Sequence, residues 1–275
     1  MSDAAEIEVI AGRPSLRYWR DLWEYREIFW YLSWRDVLVR YKQTAIGVAW
    51  SVLRPLLNMA AFTLVFGSLA RLPSDGVPYA LFVFAGMLPW QFFANTLTES
   101  GNSLILNANL LTKVYFPRLL IPASVLLVSL LELFISLLLF FALALWYGVR
   151  PDWRLVTLPL FFLLAAAHAF GFGVLFSALN VRYQDFRYVI PFAVQLGLYL
   201  SPVGFGSGLV PEAWRGLYRW NPLVGVIDGF RWSLLAGRSP LDPRSLLSSS
   251  AVALVVVLVA ARYFRVTERV LADVV

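Results

Sequence analysis

Six long, nearly charge-free apolar stretches constrain this chain more than any other feature it has. They run Val48–Ala70, Pro78–Thr98, Leu119–Tyr147, Leu155–Leu179, Tyr188–Val203 and Ser248–Ala261. About 20 apolar residues carry a helix across the hydrocarbon core of a bilayer. In lipid the backbone must satisfy its own hydrogen bonds, which a helix does within one segment. The first stretch carries Arg54 near its start, the third carries Glu132 inside it, and the last two are short for a full crossing. Composition agrees: 60% of the 275 residues are hydrophobic and 15% charged, against about 45–50% and about 25% in soluble domains. The expected fold class is an all-α membrane protein with six transmembrane helices.

Charge orients the spans. Lys and Arg collect in the segments expected to be cytoplasmic, from Arg13 to Lys42, at Lys113 and Arg118, at Arg182 and Arg187, and from Arg262 to Arg269. The two short outer loops hold only Arg71, Arg150 and Arg154. This bias predicts both termini inside. The first fifteen residues lack a basic stretch followed by an apolar core, so no cleavable signal peptide is expected. The net charge of +6 is read as this topology rather than as a nucleic-acid surface.

The segment Ser15–Gln43 is helical in pattern. Arg17, Arg20, Glu24 and Glu27 fall on one face, and Trp19, Leu22, Trp23 and Trp30 on the other. Such a helix suits the membrane surface, where tryptophan finds both apolar and polar contacts. The segment Gly204–Leu247 holds apolar pieces broken by Gly and Pro, too short or too charged to cross. Short re-entrant helices fit it, and they are tolerated where protein or a water-filled cavity covers them. The loop Gly101–Arg118 reads as a short helix carrying Leu104, Leu106 and Leu110 with Asn107 and Asn109.

Several chemistries are excluded. There is no cysteine and one histidine, His168, so thiolate sites and His clusters are absent. No G-x-x-x-x-G-K-[ST] cradle for nucleotide phosphates occurs, and no paired carboxylates, H-E-x-x-H or G-x-S-x-G. Polar groups inside spans are costly and mark function by default. Glu132 serves either the pathway or a hydrogen bond inside the bundle. His168 reads as a core histidine. Arg54 is either a snorkelling anchor or a binder of an anionic head group. Pro89, with Trp90, Gln91 and Asn95 beside it, gives a helix that packs against protein or a pore.

Six runs then match one family. They are SWRDVLVRYKQTAIGVAWSVLRPL (33–56), FVFAGMLPWQFF (82–93), NANLLTKVYFPR (107–118), LNVRYQDFRYVIPF (179–192), SPVGF (201–205) and NPLVGVIDGFRW (221–232). In this order, over nearly the whole chain, they resemble a type-2 ABC exporter permease of the polysaccharide branch. The resemblance implies a homodimer paired with two copies of a separate ABC ATPase, in the inner membrane. ATP and Mg would bind that partner, with no cofactor in this chain. It divides the chain into a cytoplasmic N-terminal segment, 1–46, with an amphipathic interface helix, and a six-span domain, 47–275. It implies a cytoplasmic coupling helix at Asn107, Asn109, Leu110, Lys113 and Tyr115, and ATPase contacts at Trp23 and Glu27. Arg35, Arg40, Lys42 and Arg54 become candidates for the head group of an undecaprenyl-diphosphate-linked glycan. Trp90, Phe93 and Tyr199 become candidate aromatic guides for the polymer. Trp214, Tyr218, Asn221 and Arg231 fall in periplasmic re-entrant gate helices. Alternatives are a type-2 permease for a drug or lipid, a membrane enzyme of glycan assembly, and a self-sufficient channel or carrier.

Overall fold

The computed structural model describes residue 20 and residues 22–42, 47–114 and 116–274. Tyr115 and the start of the amphipathic segment, with Arg17 and Trp19, lie outside the described residues. Helix α1 covers Arg26–Lys42, α2 Gly47–Phe62 and α3 Tyr79–Leu106. A short α4, Ala108–Lys113, precedes α5, Leu120–Trp146, and α6, Leu158–Arg182. Then come α7, Phe186–Leu200, α8, Glu212–Tyr218, α9, Val224–Leu234, and α10, Pro243–Val274. Wider π turns extend α2 through Thr63–Leu69.

Among the described residues five stretches are long and apolar enough to cross a membrane: Ala49–Leu69, Tyr79–Leu106, Leu120–Trp146, Trp153–Arg182 and Pro243–Glu268. The chain is a multi-pass membrane protein. The sixth expected span, α7, has 15 residues, short of the about 20 a crossing needs. Its contacts nevertheless follow α3 from end to end. Ile190 lies against Gly101 and Gly197 against Trp90, and the Tyr79 hydroxyl donates to the Gly204 carbonyl. So α7 and the turn after it run antiparallel to α3.

Two expected boundaries move. Helix α3 continues past Thr98 to Leu106, so Gly101–Leu106 is helix and not part of a connecting loop, with Gly101, Ser103 and Leu104 buried. The cause is small side chains. A Cβ on Gly173 would sit 2.8 Å from Ser100 Oγ, and one on Gly101 would sit 2.6 Å from Ile190. Neighbouring helices therefore approach closely enough for Asn180 Nδ2 to donate to the Gly101 carbonyl at 2.9 Å. Helix α10 likewise begins before Ser248, where Ser245 and Ser249 pack on Gly225 of α9.

Helix α3 is the centre of the bundle, packed against α2, α5, α6, α7 and α9. Its most apolar window is 89% buried, against 6% for Ala49–Leu69. Phe82, Phe84, Phe140, Phe161 and Phe230 fill the main core. A second cluster around Leu32, Leu104, Phe116, Ile121 and Phe264 docks α1 on α5. Here the expected apolar face divides. Leu22, Tyr25, Ile28 and Phe29 pack on this cluster, while Trp23, Trp30, Tyr31 and Trp34 are exposed. The slender Leu32 and Ser33 sit at the contact, where Ser33 Oγ reaches the Phe29 and Ser124 carbonyls. The bulky indoles cannot fit so close an approach.

Helix α9 lies buried among α3, α6 and α10 because two glycines admit it. A Cβ on Gly225 would fall 2.6 Å from the Ser245 carbonyl oxygen, and one on Gly229 2.1 Å from the Phe161 ring. Overpacking of this kind costs about 1–3 kcal/mol. Gly225→Ala should therefore lower the melting temperature of the purified protein by several degrees. Gly216→Ala, inside α8 and meeting nothing within 4 Å, should leave it unchanged or raise it slightly.

Candidate functional site

Polar residues recur at helical spacing on one face of each of three neighbouring helices. On α3 they are Gln91, Asn95, Thr98 and Glu99; on α5, Ser129, Glu132 and Ser136; on α2, Ser51, Arg54 and Asn58. Positions three and four apart share a helix face. The fold turns these faces toward one another around a cavity of about 620 Å³. Arg40 of α1 and Val194 and Leu198 of α7 complete the wall, with Trp50, Phe62, Trp90 and Phe92 supplying aromatic surface.

A charge cluster holds one part of this wall. The Arg40 guanidinium bonds the Glu99 carboxylate and, at 2.5 Å, Glu132 Oε1. Asn95 Nδ2 donates to the other Glu132 oxygen at 2.8 Å. Burial alone pushes Arg40 down, but the two carboxylates outweigh it and raise its pKa above the ordinary value. Arg40 is therefore a fixed cation joining α1 to α3 and α5.

Two further polar contacts brace α4. Arg35 Nη2 donates to Asn107 Oδ1, at the start of α4, at 2.9 Å. Beyond its end, the Arg118 N–H donates to Glu268 Oε1 of α10 at 3.1 Å, and Arg118 Nη1 to the Glu268 carbonyl at 3.0 Å. Asn109 and Lys113 are exposed, and Leu110 is half-buried on the α1 cluster.

At the far end of the bundle Arg231 is fully buried. Its guanidinium donates to the carbonyls of Phe82 (3.2 Å), Phe205 (2.9 Å) and Val203 (2.7 Å), and lies 3.8 Å from the Phe82 ring centre. A Cβ on Gly86 would strike it at 2.7 Å, so that glycine makes room. Burial lowers Arg231 to about 10, with Asp228 pulling it back up. Asn221 ties the turn before α9 to Leu200 and Ser201. The Tyr218 ring lies tilted against Phe205, with 6.4 Å between ring centres, and Trp214 is exposed.

The sequence candidates thus separate. Arg40 and Arg54 line the cavity; Arg35 is spent on Asp36 and Asn107, and Lys42 lies exposed outside it. Of the three aromatic guides only Trp90 lines it. Phe93 is packed on Phe172 in the core, and Tyr199 points outward. Trp23, just before α1, and Glu27, in its first turn, are exposed. His168 is wholly buried against Phe172, with no partner among the described residues. Glu99 was missed because it stood just beyond the expected end of its span. Its spacing of eight from Gln91 and four from Asn95 was the available signal.

Helices long and apolar enough to cross a membrane thus surround a charged, polar cavity. The chain belongs to the ABC-2 type transporter family, whose model matches residues 27–235. It is 28% identical over 251 residues to the O-antigen export system permease protein RfbA of Myxococcus xanthus, covering 90% of this chain and 95% of that one. RfbA of Klebsiella pneumoniae is 31% identical over 205 residues, 74% of this chain and 78% of the relative. The polysialic acid transport protein KpsM of Escherichia coli is 21% identical over 207 residues, 74% and 79% of the two chains. The chain is thus a type-2 ABC permease of the polysaccharide-export branch.

Removing one member of the charge cluster leaves its partners unpaired. Arg40 and its carboxylates keep a quarter to a third of their side-chain surface, so the cost is about 1–3 kcal/mol, below that of a fully buried pair. Arg40→Met should lower the melting temperature by about 3–10 °C. Adding Glu132→Gln and Glu99→Gln to it should recover part of the loss. Equal melting of Arg40→Met and the parent would contradict the cluster.

Proposed function

We propose that this chain is the membrane-spanning subunit of an ATP-driven exporter that moves a lipid-linked polysaccharide out of the cytoplasm. The observation that carries the reading is its similarity, over 90% of its length, to an O-antigen export permease, together with a polar cavity at membrane depth. The substrate is an undecaprenyl-diphosphate-linked glycan, of the O-antigen, capsule or teichoic-acid kind. Counted with the turn after it, α7 makes a sixth crossing. The excess of Lys and Arg at the α1 and α4 end supports both termini in the cytoplasm, and with the export reading an inner-membrane location.

In this reading α4 is the coupling helix and α1 the interface helix, and two ABC ATPase subunits dock on them. ATP and Mg bind there, not on this chain. The bracing of α4 from both sides favours the assignment, because a push on it reaches α1 through Arg35 and α10 through Arg118. Helices α8 and α9 form the periplasmic gate, with Arg231 as its brace.

The chain works as a homodimer. Its first span is scarcely covered, with Leu53, Leu57 and Leu64 exposed, while the same helix gives Arg54 and Asn58 to the cavity wall. Lipid covers the leucines well but serves the polar wall poorly. A second copy closes both.

Lys113→Glu, at an exposed position of α4, should weaken co-purification with the ATPase by about tenfold, equivalent to about 1.4 kcal/mol, while leaving the permease folded. Unchanged ATPase binding and ATPase activity in this variant would count against α4 as the docking site. The natural chain has no cysteine, so a single Leu57→Cys should yield a disulfide-linked dimer in membranes. Exposed Val156→Cys, away from α2, should not. Failure of Leu57→Cys and its neighbours on α2 to cross-link would contradict the dimer.

A further inference from the structure

Among the described residues the cavity wall carries four charged side chains, Arg40, Arg54, Glu99 and Glu132. Their formal charges cancel, +2 against −2, but the pairing does not. Arg40 holds both carboxylates, and Asn95 completes the shell of Glu132. Arg54 makes no hydrogen bond or ion pair among the described residues. It stands exposed on the cavity wall, five residues into the span Ala49–Leu69, where its charge is free to meet a ligand entering the cavity. An electropositive group so placed calls for an anion that comes from outside the chain.

The surroundings specify which kind. Ser51 and Asn58 lie three before and four after Arg54 on the same helix, and Gln91 faces the same space from α3. A guanidinium fork with hydroxyl and amide donors beside it suits an oxygen-rich anion such as phosphate. The rest of the wall is apolar, with Phe62, Met87, Leu88 and Leu198. A ligand with a phosphate head and a hydrocarbon tail matches both parts. The Arg40 cluster supports the site in a second way. By holding Glu99 and Glu132 it keeps two carboxylates from capturing Arg54.

We propose that Arg54 is the residue of this cavity that reads the phosphate head group of an anionic, tailed substrate, and that Arg40 does not. The proposal rests on the export reading above and narrows four candidate cations to one.

The test uses the full chain with its ATPase in lipid nanodiscs and a short polyprenyl diphosphate as probe. The parent should bind it at least about tenfold more tightly than the polyprenol of the same length, a difference of about 1.4 kcal/mol. Arg54→Gln should bring the two probes together, and Arg54→Lys should keep part of the preference. Arg150→Gln, exposed on a loop at the far end, should keep all of it. Loss of preference in Arg54→Gln with monodisperse, folded protein supports the site. An unchanged preference overturns it. Phosphatidylglycerol or a lipid-free acidic oligosaccharide displacing the diphosphate at equal concentration also overturns it, since the site would then read bulk lipid or the polymer's own acids. Surface polysaccharide separates the two levels. Undiminished export by Arg54→Gln would sink the site and leave the export reading standing. Arg54-dependent binding in a protein whose deletion spares every surface polysaccharide would do the reverse.

Discussion

Arg40 makes the one contact on which the working parts of this bundle depend. A guanidinium and two carboxylates at the edge of a membrane domain are expensive unless they meet one another with good geometry. Here Arg40 meets both Glu99 and Glu132, and Asn95 takes the remaining oxygen of Glu132. One side chain at the end of a surface helix therefore holds the two central walls of the cavity. The same pairing removes Glu99 and Glu132 from competition for Arg54. The charge of the cavity is thus set by how α1 docks, and the docking of α1 by the charge of the cavity.

That link has mechanical consequences. Close-packed interiors shift between discrete arrangements rather than deforming smoothly. The small residues Ser100, Gly101, Ser103 and Gly173 bring α3 against α6 and α7 with no slack. Arg35 joins α1 to Asn107, and Arg118 joins the other flank of α4 to α10. Displacement of α4 by a docked partner would pass along short polar contacts into the helices that line the cavity. At the far end Arg231 gathers three carbonyls from two segments around α9. It makes that end a braced unit, which suits a gate that moves as a body.

Much of the fold was legible in the sequence because the bilayer simplifies the code. Apolar length gave the spans, and the absence of strands among the described residues follows from it. Helix ends were harder to read. Glu99 and Asn102 look like loop residues until Ser100, Gly101 and Ser103 are seen to permit tight packing around them. The same error hid Glu99 from the list of site residues. Arg40 could be flagged as a cation near the membrane, but only the fold shows it spent on two carboxylates. Phe93 and Tyr199 illustrate the opposite limit. Aromatic character says nothing of direction, and one proved to be core and the other outward-facing. Along α1 the apolar residues divide, with Leu32 and Ser33 making the close contact with the bundle while Trp30 and Trp34 stay exposed.

The central claim is that this cavity carries a lipid-linked polysaccharide outward, powered through α1 and α4. Its most direct test is the fate of the polysaccharide in cells without the chain. Surface polymer should vanish while its lipid-linked form accumulates inside, and the parent gene should restore export. Normal surface polymer in the deletion strain, or loss of the polymer without an internal lipid-linked pool, would contradict the account.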